Sequence, residues 1–130
     1  FIVIDDDKIN NIICQKMVQF TFPGSVVETF TDPEMGLAHI LSMYTAGEGH
    51  NAVLFLDINM PSFSGWEVLE KLTESATLIK DHLRIFMLSS SVDPDDKEKA
   101  CSNPLVTDYI TKSLSNVKLR ELFPDLSADG

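Results

Sequence analysis

Basic residues and long apolar runs are scarce in this 130-residue chain. Ten lysines and arginines stand against twenty aspartates and glutamates, which gives a formal net charge of -10. A field of that sign repels nucleic acid and anionic lipid, so we expect no direct nucleic-acid binding and no membrane attachment. In addition, no apolar run approaches the ~18 residues that a membrane-spanning helix requires.

Cysteine is also scarce. Cys14 and Cys101 fall in predicted helices, have no CxxC spacing and have no histidine cluster nearby in the sequence. This pattern argues against both a disulfide framework and a zinc site. Reduced thiols are typical of the cytoplasm, which is where we expect the protein to act. The three histidines, His39, His50 and His82, are scattered, and we assign them no chemistry.

The length is that of one compact domain, and 44% of the residues are hydrophobic. We find no internal repeat and no low-complexity tract. We therefore predict one domain over residues 1–125 and a flexible tail over residues 126–130. Because the chain opens on residues typical of a strand interior, a few upstream residues are expected to be absent from it. We expect it to be a stand-alone domain or a piece of a longer protein.

Five short segments rich in β-branched and aromatic residues predict strands. They are Phe1–Ile4, Ser25–Phe30, Ala52–Leu56, Ile85–Leu88 and Asp108–Thr111. Strands that alternate with helices run parallel, because each helix returns the chain to the same edge by a right-handed crossover. The pattern predicts an α/β three-layer sandwich around a five-stranded parallel sheet.

Apolar residues at helical spacing predict five helices between and after these strands. The first carries a stripe, typical of a core-facing side, at Ile9, Ile12, Ile13, Met17 and Phe20; the second carries one at Leu37, Ile40, Leu41 and Tyr44. Asp32, Ser64 and Ser115 are candidate amino-terminal caps. The fourth helix, within Pro94–Ser102, is so polar that we expect it to be short and poorly anchored.

Chemically capable residues follow the predicted strands at their carboxyl ends, where ligands bind in open parallel sheets. They are Asp5, Asp6 and Asp7 after the first strand, Asp57 after the third, Ser89, Ser90 and Ser91 after the fourth, and Lys112 after the fifth. Crowded carboxylates repel one another and call for a cation, and hard oxygen ligands suit Mg²⁺ or Mn²⁺. A fixed ammonium and hydroxyl could then hold a transferring phosphoryl group. Asp7 is interpreted as a helix cap.

Four segments resemble the receiver domains of two-component response regulators over essentially the whole chain. IDDD at 4–7 resembles the acidic pair after the first strand, and LDINMPSFSG at 56–65 resembles the phosphoacceptor loop. MLSS at 87–90 and YITK at 109–112 resemble the ends of the fourth and fifth strands. The resemblance implies a flavodoxin-like strand order, 2-1-3-4-5.

By that resemblance Asp57 is the phosphoacceptor, taking phosphate from a phosphohistidine on a sensor histidine kinase or a histidine phosphotransfer protein. Asp5, Asp6, Asp57 and the backbone carbonyl of Asn59 would hold the Mg²⁺. Lys112 and Ser89 would bind the phosphoryl group, and Tyr109 would rotate inward as the switch proceeds. Asn59 and Ser91 would tune how fast the phosphate is lost. The protein would catalyse only its own phosphorylation and dephosphorylation.

The output face implied by the resemblance comprises the fourth predicted helix, the fifth strand and the fifth predicted helix. We expect a downstream protein target there, and any homodimer would form on the same face. Ser113 stands where the family commonly has proline, which predicts a more mobile loop.

Two other functions remain open. A haloacid-dehalogenase-type phosphohydrolase also uses an aspartate at a strand end, but it expects a second aspartate where this chain has Asn59. A receiver fold used only as a docking module, without phosphorylation, is opposed by the intact set of Asp57, Ser89 and Lys112. Sustained turnover of phosphate esters would favour the first alternative, and failure to accept phosphate would favour the second.

Overall fold

The computed structural model describes residues 1–45, 51–60, 63–90, 93–112 and 114–124. Within them lie five strands and six helices, in the order β1 (Ile2–Ile4), α1 (Lys8–Thr21), β2 (Glu28–Phe30), α2 (Pro33–Thr45), β3 (Ala52–Asp57), α3 (Gly65–Thr73), α4 (Ala76–Ile79), β4 (Leu83–Ser89), α5 (Pro94–Cys101), β5 (Val106–Thr111) and α6 (Asn116–Leu122). The predicted tail at 126–130 and His50 lie outside the described residues.

The five strands form one parallel sheet with the order β2-β1-β3-β4-β5. In the register of the sheet, Ile4 is paired with both Phe30 and Leu56, while Ser89 is paired with Thr111. The carboxyl ends of the strands therefore meet along one edge. This confirms the predicted α/β fold and its strand order.

Alternate residues of the strands point to opposite faces of the sheet, and each face has its own apolar cluster. Ile4, Leu56 and Met87 belong to the cluster that is covered by α2, α3, α4 and α5. Phe55 and Leu88 belong to the cluster covered by α1 and α6. Helices on both faces of the sheet make the three-layer sandwich, and the double burial explains why β3 and β4 are continuously apolar.

The predicted strand boundaries differ from the structure by two residues or more in three places, and by one residue at the start of β1 and at the ends of β3 and β4. β2 covers half of the predicted Ser25–Phe30 segment, while β4 and β5 each begin two residues earlier than predicted. The structure also contains α4, a single turn that packs Ile79 into the core. Four residues are too few to show helical periodicity, which is why the sequence pattern did not reveal this turn.

The prediction that the apolar stripe of α1 faces the core is wrong for four of its five residues, and only Met17 packs against the core, partly buried. Ile9 and Phe20 are each 69% exposed, and Ile12 and Ile13 are also exposed. The buried side of the helix instead consists of Asn10, Asn11, Cys14, Val18 and Thr21. The two asparagines are buried because their amides hydrogen-bond to Asp5 and to the end of β2.

The prediction that Asp7, Ser64 and Ser115 cap the amino-terminal ends of helices is confirmed. Each side chain accepts a hydrogen bond from a backbone N–H in the first turn of its helix, α1, α3 and α6 respectively. Asp32 likewise accepts from the Glu34 N–H at 2.9 Å. These bonds satisfy donors that a helix start would otherwise leave without a partner.

The polar helix α5 is anchored as weakly as its composition predicts. Its buried residue is Ala100, and its first turn is capped by Asp93, which accepts from the Asp95 N–H at 2.9 Å.

Both cysteines are free; Cys14 is buried and Cys101 is exposed. Among the described helices, none has the length and apolar character that crossing a membrane would take.

Gly65→Ala is expected to cost about 3 kcal/mol of unfolding free energy. A methyl group there would lie 2.2 Å from the backbone oxygen of Asp57, which cannot move without displacing β3. The matched control is Gly36→Ala, whose methyl would meet the flexible end of the Ile4 side chain at 2.6 Å and should cost about 1 kcal/mol. Urea unfolding of both variants provides the comparison. Equal costs would contradict the claim that close backbone packing at Gly65 holds this loop.

Candidate functional site

The site lies at the edge where the carboxyl ends of four strands meet. Asp5 and Asp6 directly follow β1, Asp57 is the last residue of β3, and Ser89 is the last residue of β4. Lys112 follows β5, and its backbone N–H donates to the Ser89 carbonyl at 2.8 Å. The structure thus brings together five of the residues that the sequence places at strand ends.

Lys112 connects two buried carboxylates. Its Nζ lies 2.9 Å from Oδ2 of Asp5 and 3.2 Å from Oδ1 of Asp57. Asp5 is 1% exposed and Asp57 is 4% exposed, so both would be costly to ionise without a cation nearby. The ammonium group therefore compensates part of the negative charge at the centre of the site.

Asp5, Asp6 and Asp57 form a carboxylate cluster. Each offers one oxygen, and these oxygens all lie within 4.8 Å of one another. Asp6 differs from the other two because it is exposed to solvent. Solvent therefore reaches the cluster at Asp6, whereas Asp5 is buried.

The Asp5 carboxylate is held by hydrogen bonds that the sequence analysis missed. Its Oδ1 accepts from the Asp7 N–H at 2.9 Å, and its Oδ2 accepts from Nδ2 of Asn10 at 2.6 Å. Nδ2 of Asn11 donates to the Asp5 backbone carbonyl at 2.9 Å. The signal for these contacts was two adjacent asparagines one turn after the acidic pair, but the apolar stripe beside them suggested the opposite helix face.

The loop after Asp57 returns tightly to the sheet. The Gly65 N–H donates to the Ile58 carbonyl at 2.9 Å, and Gly65 packs directly against the backbone of Asp57. Asn59 lies between these points and is exposed. It stands two residues beyond Asp57, and the role of its backbone carbonyl as a metal ligand stays a prediction.

The remaining predicted site residues are placed as follows. Ser89 is fully buried, and Tyr109 is 8% exposed within the apolar cluster under α2 to α5. Tyr109 is thus packed against the core, and its predicted rotation during switching stays a prediction. Ser91 and Ser113 lie outside the described residues, so the predictions made for them stay predictions.

Burial and, after it, the charge of Asp5 raise the pKa of the Asp57 carboxyl to about 6, although Lys112 opposes the shift. Desolvation, followed by the charge of Asp5, also raises the pKa of Asp6. For Lys112, burial lowers the pKa, but the hydrogen bonds and charges of Asp5 and Asp57 outweigh this effect and leave the pKa raised. The metal-free site therefore carries more negative charge than one ammonium group neutralises.

This donor set fits a small divalent cation. Carboxylate oxygens are the ligands Mg²⁺ prefers, and a solvent-exposed carboxylate such as Asp6 leaves room for the waters that Mg²⁺ retains. A cation would also relieve the repulsion that raises the pKa of Asp57. The residues present thus match the ion that the sequence analysis expected.

Comparison with known proteins identifies the family that shares this arrangement. Residues 1–123 match the family described as "Response regulator receiver domain". A curated relative, "Hybrid signal transduction histidine kinase L" of Dictyostelium discoideum, is 28% identical over 130 residues. The match covers 99% of this chain, but the chain spans only 7% of the length of that relative.

Solved structures agree in fold. A two-component response regulator from Cytophaga hutchinsonii has a TM-score of 0.85 and 28% identity, over 96% of this chain and 93% of that chain. The CheX-CheY-BeF3-Mg+2 complex from Borrelia burgdorferi has a TM-score of 0.70 and 21% identity, over 95% of this chain and 86% of that chain. At 21% identity, the similarity to the Borrelia burgdorferi complex shows only that the fold is shared.

Asp57→Asn is expected to stabilise the metal-free protein near neutral pH. Because the pKa of Asp57 in the folded protein, about 6, exceeds the ordinary value of about 4, the folded state binds this proton more tightly than the unfolded chain does. The unfolding free energy therefore falls as pH rises from about 4 to about 6, and an uncharged amide escapes this loss. We expect a gain of about 2 kcal/mol above that range and little gain below it.

Urea unfolding in the presence of a chelator, repeated across this pH range, measures the difference between the variant and the wild type. Asp6 interacts electrostatically with Asp57, so both proteins carry Asp6→Asn in this comparison. A difference that stays the same at every pH would contradict the assignment of the raised pKa to Asp57.

Proposed function

The chain belongs to the response regulator receiver domain family of two-component signalling, and on that premise we propose that it is a switch phosphorylated on Asp57. The donor is a phosphohistidine on a sensor histidine kinase or a histidine phosphotransfer protein. The observation that carries the proposal is the pair of buried carboxylates, Asp5 and Asp57, joined by Lys112 beside the exposed Asp6.

The nucleophile is an Asp57 carboxylate oxygen. With a pKa of about 6 in the metal-free state, Asp57 is mostly ionised at neutral pH and can attack phosphorus. The new O–P bond forms as the P–N bond of the phosphohistidine breaks, and the electron pair returns to the imidazole nitrogen. Lys112 lies 3.2 Å from Asp57 Oδ1, close enough to bind the oxygens of the incoming group.

Asp6, Asp57 and the backbone carbonyl of Asn59 would hold Mg²⁺ or Mn²⁺, with Asp5 supporting the site. The cation supplies neutralising charge to the phosphoryl oxygens. Asp6 suits direct binding because it is exposed, whereas both oxygens of Asp5 already accept hydrogen bonds. The chain's own part is to hold these carboxylates close together, within 4.8 Å of one another.

The conformational change on phosphorylation begins at Ser89 and Lys112 and extends to the output face, which comprises α5, β5 and α6. The phosphoryl group adds about two negative charges and strong acceptors, which draw in Lys112 and the Ser89 hydroxyl. Ser89 begins the segment that leads to α5, which has few apolar anchors. Lys99 of α5 lies 4.4 Å from the ring centre of Trp66 on α3, so movement of α5 would change the surroundings of that indole.

The output face is where we propose that a downstream protein target binds and where any homodimer forms. The protein acts as a signalling partner and turns over only its own phosphoryl group. Similarity to a fraction of a hybrid kinase makes a receiver within a longer phosphorelay protein one setting for this switch.

The central experiment offers acetyl phosphate and Mg²⁺ to the wild type, to Asp57→Ala and to Asp81→Ala. Asp81 is an exposed acid at the opposite edge of the sheet, before β4, so its variant matches the loss of charge. We expect one phosphoryl group on the wild type and on Asp81→Ala, none on Asp57→Ala, and none with a chelator present. Intact-protein mass spectrometry makes the measurement.

A second experiment uses beryllofluoride with Mg²⁺, which should change the fluorescence of Trp66, the chain's one tryptophan.

Three outcomes would contradict the proposal. Phosphorylation that persists in Asp57→Ala would move the acceptor elsewhere. Failure of the wild type to react with either reagent would favour a docking module that works without phosphate. Sustained hydrolysis of phosphate esters would favour a phosphohydrolase.

The donor protein must bring its histidine to Asp57, so it must touch surfaces next to the rim of the site. The exposed side of α1 is such a surface, because Ile9 follows the acidic residues by two positions. Four of the eight large exposed hydrophobic side chains in the described chain lie on this helix: Ile9, Ile12, Ile13 and Phe20. Exposed apolar surface that is concentrated on one helix commonly marks a protein interface. We assign this face of α1 to the phosphohistidine donor.

Ile9→Ser is expected to slow phosphotransfer from a donor protein about 10-fold, a loss of about 1.4 kcal/mol of binding free energy. Acetyl phosphate makes no such contact and should react at the wild-type rate. Leu78→Ser on α4 is the control, since Leu78 is also exposed, at 47%, and α4 precedes the amino end of β4, away from the site. The donor is whichever of a panel of purified histidine phosphotransfer proteins and kinases phosphorylates the wild type fastest. Equal slowing by both substitutions, or slowing with acetyl phosphate as well, would exclude α1 as the docking face.

A further inference from the structure

Asn10 is a buried side chain to which the proposed chemistry assigns no role. It is 7% exposed, and its Nδ2 lies 2.6 Å from Oδ2 of Asp5. The same amide nitrogen also lies 3.7 Å from Sγ of Cys14, one helical turn further along α1. The reverse orientation of the amide would place its oxygen against a carboxylate, so the donor must face Asp5.

The oxygen that Asn10 binds is the one that also holds Lys112. Nζ of Lys112 lies 2.9 Å from Oδ2 of Asp5, while Oδ1 of Asp5 is occupied by the Asp7 N–H. Three groups thus donate to the two carboxylate oxygens of Asp5, which leaves this carboxylate little freedom to rotate. The amide thus determines where the ammonium group of Lys112 can rest.

We propose that Asn10 is a positioning residue of the acidic site: it locks the Asp5 carboxylate on Lys112, so that Lys112 is shared between Asp5 and Asp57 while Asp6 and Asp57 stay available to a cation. This inference rests on the proposed function for its consequence, but the lock itself exists in the metal-free protein. Without it, Asp5 turns, and Lys112 moves wholly onto Asp57, where it competes with the cation.

Asn11 supplies a matched control. It is also buried, at 3% exposed, and it lies on the same turn of α1. Its Nδ2, however, donates to backbone carbonyls, those of Asp5 at 2.9 Å and Phe30 at 3.4 Å. Asn10→Ala and Asn11→Ala each remove one buried amide from one helix, but only the first frees the Asp5 carboxylate.

The first measurement is made without metal. Proton–nitrogen correlation NMR follows the exchange of the Lys112 ammonium protons with water in the wild type, Asn10→Ala and Asn11→Ala. We expect exchange to be about 10-fold faster in Asn10→Ala and within about 2-fold of the wild type in Asn11→Ala, because a hydrogen bond to a charged group shifts an equilibrium by about 10-fold. Unchanged exchange in Asn10→Ala, or equal acceleration in both variants, overturns the lock.

The second measurement is Mg²⁺ titration of the same three proteins by calorimetry. The dissociation constant should rise about 10-fold in Asn10→Ala and stay near the wild-type value in Asn11→Ala. A wild type that binds no Mg²⁺ would refute the proposed cation site, and the ammonium exchange would still decide whether Asn10 positions Asp5. Where circular dichroism shows that Asn10→Ala does not fold, Asn10→Ser replaces it. Its hydroxyl is too short to reach Oδ2, so the same results are expected.

Discussion

Two buried carboxylates share the ammonium group of Lys112, and the arrangement of the site follows from this constraint. Burying Asp5 and Asp57 costs free energy that Lys112 repays only in part, as the raised pKa of Asp57 shows. Replacing buried ion pairs with apolar residues is often neutral or stabilising, because an uncompensated buried charge is destabilising. Retaining them makes physical sense where the remaining negative charge is used to bind a cation.

The fold and most of the site could be predicted from the sequence because a parallel sheet has a simple geometry. Once the strands are assigned, the carboxyl ends of all of them lie at one edge, whatever the details of the helices. Asp5, Asp6, Asp57, Ser89 and Lys112 were therefore identified by their positions after apolar segments, and the structure places them along that edge. An error of two residues in a strand boundary, as at the start of β4 or β5, occurs at the opposite end and leaves the site unchanged.

The orientation of α1 could not be predicted in the same way. Hydrophobic periodicity assumes that apolar residues gain most from burial, and in α1 it selects Ile9, Ile13 and Phe20. The structure buries Asn10 and Asn11 instead, because their amides satisfy Asp5 and the backbone at the end of β2. A hydrogen bond to a buried carboxylate contributes more than a neutral one, and that term depends on a partner several residues away. Sequence periodicity alone contains no information about that partner.

Because α1 buries its polar side and exposes its apolar side, the helix can serve two purposes. Its inner side supports the Asp5 carboxylate, and its outer side presents Ile9 to solvent beside the rim of the site. A helix with an apolar inner side could have hidden that residue, but it would have left Asp5 without its donor from Asn10. The polar requirement of the site therefore forces the apolar residues outward. Since exposed apolar surface costs free energy in the isolated domain, a partner that covers it gains affinity at the place from which Asp57 is reached.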